Sequence, residues 1–110
     1  MPVLSILIIP SEDVPGLWVS HCLDMDLISQ GDNPNKAFRA IMEGVVMMAE
    51  DDLSNDLDPL GRDKAPQEDW DRFDEIWETE CQGRLPEDGS LAMRIDLPFR
   101  TPSKGTSQPL

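Results

Sequence analysis

The sequence predicts an α+β domain: a small antiparallel sheet in the order β-β-β-α, followed by an acidic aromatic helix and a C-terminal strand. Three observations carry this expectation. Residues 3–9, VLSILII, are a nearly continuous branched apolar run closed by Pro10. Residues 37–49 repeat apolar side chains at three- and four-residue spacing. Leu91, Met93, Ile95 and Leu97 alternate with Ala92, Arg94, Asp96 and Pro98. Such patterns mark, in turn, a strand covered on both faces, an amphipathic helix and a half-buried strand.

The first strand spans Val3–Ile9. A loop with two prolines and a glycine, PSEDVPG, follows, and Leu17–Leu23 resumes an extended pattern, so the first two strands form a hairpin. Alternation places Trp18, Ser20 and Cys22 on one face and Val19, His21 and Leu23 on the other. Asp24 and Asp26 fall on a bend before a short third strand at Leu27–Ser29. At Gly31-Asp32-Asn33-Pro34 the chain turns into a helix, with Asp32 or Asn33 suited to the N-cap and Pro34 to the first helical position. The helix is expected to reach about Asp51, burying Ala37, Phe38, Ile41, Met42, Val45, Met48 and Ala49. Glu50, Asp51 and Asp52 sit at the unfavourable end of its dipole, each exposed charge costing about 0.3–1 kcal/mol. The last turn should therefore fray or meet a basic partner.

After a polar turn region, SNDLDPLGRD, Pro66 opens a second helix in which Trp70, Phe73, Ile76 and Trp77 share one stripe and Gly83 marks the stop. A turn at Pro86–Gly89 leads to the Leu91–Leu97 strand, either a fourth strand of the sheet or a docking arm. Residues 1–98 thus read as a single domain, with a core at 1–55 and a helix-plus-strand extension at 59–98. Residues 99–110 lack apolar periodicity and read as a flexible tail.

The formal net charge is -13. Residues 1–60 hold only Lys36 and Arg39 against eleven Asp and Glu. A phosphate-binding surface needs clustered Lys and Arg, so direct nucleic-acid binding is not expected. Cys22 and Cys81 make no disulfide framework and read as reduced thiols. The apolar start has no basic n-region and is too short to cross a bilayer, which predicts a cytoplasmic protein without membrane contact.

Read together, "GLWVSHC", the bend and "SQGDNPNKAF" resemble the N-terminal domain of the HicB family of antitoxins and its solitary HicB-like relatives. Gly16, Trp18, Val19, Gly31, Asp32 and Ala37 carry the resemblance, which covers about residues 3–50 and extends more loosely to "APQEDWDRFDEIW". In this reading Gly16, Trp18, Gly31, Asp32, Pro34 and Ala37 are fold determinants. The resemblance implies a partial RNase H-like sheet with a helix on one face, in a family whose full members bind and neutralise a small RNase toxin. Those members repress DNA through a C-terminal ribbon-helix-helix or helix-turn-helix. Here an acidic aromatic helix and a strand stand in that place, so DNA binding is not carried over. Lys36 replaces the family's usual acidic residue at the capping-box position.

No catalytic signature emerges. A nuclease of this fold would need carboxylates converging from strand and helix on two metal ions, whereas Asp24, Asp26 and Asp32 lie around one bend. His21 and Cys22 are adjacent on a strand and point to opposite faces, which disfavours a metal site completed by Cys81 and a Cys-His dyad alike. No enzyme activity, metal or cofactor is therefore expected.

The function expected is a protein-interaction module, antitoxin-like, that binds or neutralises a basic protein. Its candidate partner-binding residues are Trp70, Phe73, Trp77, Asp71, Asp74 and Glu78, an aromatic stripe ringed by acid. The same stripe at helical spacing also reads as core. A self-assembling structural protein, forming homo-oligomers through an open sheet edge, and an acidic nucleic-acid mimic are the alternatives.

Overall fold

The computed structural model describes residues 3–100. The elements are β1 (Val3–Pro10), β2 (Trp18–Cys22), β3 (Leu27–Gly31), α1 (Pro34–Ser54), α2 (Gln67–Cys81) and β4 (Leu91–Asp96), with a short 3₁₀ turn at Pro59–Gly61. They form a small α+β fold with one four-stranded antiparallel sheet, ordered β3-β2-β1-β4. Of the two roles open for the 91–97 segment, it takes the first, pairing with β1 from Val3↔Asp96 to Ile8↔Leu91. The tail expected over 99–110 lies outside the described residues from position 101 onward.

β1 is central and covered on both faces. Leu4, Ile6 and Ile8 join Cys22, Met25, Ala37, Ile41 and Val45 in one core. Leu7 joins Leu23, Ala65, Phe73, Ile76 and Ala92 in the other. Each fully buried Leu or Ile contributes about 1.5–3 kcal/mol of apolar burial. The unbroken buried stretch from Leu4 to Ile8 therefore makes β1 the element on which both layers depend.

α1 lies over β2 and β3, with few contacts to β1. Ala37, Ile41, Val45 and Ala49 face the sheet, and small residues at this seam let the helix come close. Gly31 is where the approach is tightest: a Cβ there would stand 2.5 Å from the Ala37 backbone nitrogen. Space, not backbone conformation, requires this glycine. Gly16 answers the other need, turning the hairpin loop at φ +81°, a region costly for side-chain-bearing residues.

The N-cap is Asn33, whose side chain accepts the Lys36 N–H at 2.8 Å. Asp32 is exposed and sits instead 3.4 Å from the Lys36 ammonium, so capping belongs to its neighbour. At the far end α1 runs on to Ser54, past the Asp51 expected from the sequence. Asp52 is buried and receives two hydrogen bonds from Arg62, at 2.7 and 2.8 Å. The basic partner required by the acidic run belongs to the same chain.

Candidate interaction surface on the second helix

α2 packs on the opposite sheet face, over β4. Its start has no side-chain cap, and Glu68 and Asp69 in the first turn complement the helix dipole instead. It is fastened at its start, middle and end. Ala65 just before it donates its N–H to the Leu23 carbonyl at 2.9 Å, and the Ala65 carbonyl accepts the Trp70 indole N–H at 3.1 Å. In the middle, Phe73 and Trp77 stack with centroids 5.9 Å apart. The Arg94 guanidinium of β4 lies over both rings, 4.6 Å from Trp77 and 5.6 Å from Phe73. At the end, the Glu80 carboxylate accepts the Ala92 N–H at 2.9 Å.

These contacts divide the six candidate partner-binding residues. Phe73 is fully buried and out of any partner's reach, while Trp70 and Trp77 are half-buried against the second core. Asp71, Asp74 and Glu78 are exposed, with Glu75 beside them. None of these four carboxylates is in an ion pair among the described residues. Asp71 only accepts a hydrogen bond from the neighbouring Gln67 amide at 3.0 Å. Below them Glu75, Glu78, Thr79, Gln82 and Arg84 line a shallow hollow of about 300 Å³. Chemically this is a row of solvated acceptors, suited to Lys or Arg side chains approaching from outside.

The residues weighed for catalysis or metal binding are dispersed. His21 is buried on the α2 side of the sheet, its Nε2 2.7 Å from an Asp26 oxygen. Cys22 faces the other way, and burial pushes its thiol up to about 11, which leaves it protonated and unreactive. Asp24 accepts the Ser5 N–H at 2.7 Å, and burial raises its carboxyl above the ordinary value. Asp24, Asp26 and Asp32 thus answer to Ser5, His21 and Lys36 respectively. Among the described residues no group of three or more His, Cys, Asp or Glu could hold a metal ion. No helix among them is long and apolar enough to cross a membrane.

Gly31 and Ala37 meet at the α1 seam, and Trp18 lies across the sheet end against Gly89, where a Cβ would be 3.1 Å from the indole. Sequence reasoning missed the roles of Arg94, Glu80 and Arg62, each of which pins one element to another. Arg94 alone left a signal, as a charge within an alternating strand. Set against known protein families, curated proteins and solved structures, the chain matches none.

Proposed function

We propose that the protein is a non-catalytic interaction module of the HicB antitoxin-like type, which in the cytoplasm binds or neutralises a basic protein partner through the outer face of α2. One observation carries the reading: Asp71, Asp74, Glu75 and Glu78 form an exposed row in no ion pair among the described residues, on a helix whose inner face packs on the second core. Elsewhere acid is used internally, as at Asp52 with Arg62. Among the described residues the α2 row enters no ion pair, and only Asp71 accepts a side-chain hydrogen bond, from Gln67. The HicB-like part rests on the β-β-β-α order and on the spatial roles of Trp18, Gly31 and Ala37.

The burial of the aromatic stripe determines the test. Alanine at Trp70 or Trp77 would loosen the second core, so the informative variant is Asp71→Lys/Asp74→Lys/Glu78→Lys. Tagged wild type and variant are used for affinity purification from the native host at about 150 and 500 mM salt, which screen exposed charges to different degrees. A dominant basic protein captured by wild type and lost in the variant supports the reading. Equal capture by both, or none by either, overturns it. Capture of a nucleic-acid-binding enzyme that vanishes entirely at the higher salt favours the nucleic-acid mimic.

A further inference from the structure

We infer that two copies of this chain join through the open edge of β4, forming one continuous antiparallel sheet across a two-fold axis. The two helices cover the sheet diagonally. α1 lies over β2 and β3 on one face and α2 over β4 on the other. On the α1 side of β4 this leaves Leu91, Met93, Ile95, Leu97 and Phe99 only half-buried at the rim of the first core.

The backbone at that edge has a defined direction. Leu23 donates to the Ser5 carbonyl at 3.0 Å, so odd residues of β1 aim their backbone groups at β2 and even ones at β4. The register Ile6↔Met93 then turns the odd residues of β4 inward and the even ones outward. The Ala92 N–H, reaching Glu80 outside the sheet, agrees. Arg94 and Asp96 therefore present outward N–H and C=O groups, flanked by Ala92, whose N–H is already occupied, and Pro98, which has none.

Self-pairing in antiparallel fashion selects one register. Placing Ile95 opposite the second copy's Ile95 sets Arg94 against the second copy's Asp96, twice by symmetry. On the α1 side Met93 then meets Leu97, and Leu91 meets Phe99. A shift by two residues in either direction sets Arg94 against Arg94 or Asp96 against Asp96. The ladder also ends where Ala92 would face Pro98, the one pair that can exchange no N–H···O bond. An edge built to repel its own copies carries one sign of charge. This edge is self-complementary, as an isologous contact must be. The β3 edge presents Ile28 and Gln30 outward and has no charge to set a register.

Sedimentation equilibrium at about 100 µM protein, in 150 and 500 mM salt, tests this with Arg94→Asp and Asp96→Arg. Wild type is expected to dimerise, more strongly at the higher salt, because each copy carries -13 formal charge. Each substitution alone puts like charges opposite one another and should weaken association about tenfold. Mixing the two variants restores both attractive pairs and should return wild-type affinity. Asp96→Arg leaves the Arg94–Trp77 contact untouched, so its loss of association is not a folding defect. A monomeric wild type, a variant that dimerises undiminished, or a mixture that fails to recover when circular dichroism shows Arg94→Asp folded, each overturns the proposal.

Discussion

α1 and α2 cover opposite faces of one sheet by different means. α1 is seated by Ala37, Ile41, Val45 and Ala49 against a glycine, capped by Asn33 and closed by the Asp52–Arg62 pair. α2 is seated by rings, with Phe73 and Trp77 stacked under the Arg94 guanidinium, and its first turn has no side-chain cap. Close small-residue packing makes α1 part of the frame. Ring-mediated docking holds α2 on the sheet by a few large contacts and leaves its outer carboxylates exposed and, among the described residues, in no ion pair. The difference teaches that the helix which reads as a binding element in sequence is anchored by its aromatics and leaves its acids on the exposed side.

The largest effect that would break this contrast is Phe73→Ala, expected to cost about 3–5 kcal/mol as a large buried ring is lost. Denaturant unfolding would measure it. Arg62→Ala leaves Asp52 buried without its partner; Arg62 is about a third exposed, so the expected cost is about 1.5–3 kcal/mol, the range for hydrogen bonds to charged groups. That loss should appear in α1 and not in α2. Asn33→Ala removes only the α1 cap and should cost about 1 kcal/mol, whereas Pro66→Ala, at an α2 start with no side-chain cap, should lose no capping bond. The triple lysine variant on α2 should change stability by less than about 0.5 kcal/mol, since its sites are exposed, and thermal unfolding checks this.

Cys22 gives a sharper probe of the α1 side. Its thiol titrates near 11 in the folded protein against an ordinary 9.0, because burial disfavours the thiolate. The folded state thus holds the proton more tightly than the unfolded one. This contribution to stability is complete below about pH 9 and is lost as pH rises through about 11. At pH 8 alkylation should modify the exposed Cys81 quickly and Cys22 only after unfolding, as mass spectrometry of the modified peptides would show.

Much of the frame was legible because local pattern and tertiary role coincide. The run Val3–Ile9 needed two covered faces and has them. The Ala37–Ala49 stripe needed a sheet to lie on, and Pro34 opened its helix as expected. Asn33 and Asp32 are equally good caps chemically, so only the turn geometry chooses between them. A helical period shows that Trp70, Phe73 and Trp77 share a side, yet it does not say whether that side is covered. Arg62 reaching Asp52 and Arg94 reaching Trp77 link residues ten or more positions apart. No local spacing encodes such pairs. The candidate surface was therefore half legible: its acids are where alternation around the helix puts them, and its aromatics became the anchor.

The most direct test of this division between frame and docked helix is native-state amide hydrogen exchange, read residue by residue. The amides of β1 and α1 should exchange only through global unfolding, while those of α2 should open at a lower free energy, as a unit held mainly by its few ring contacts. Protection in α2 equal to that in α1 would contradict the account, showing both helices to be one cooperative frame.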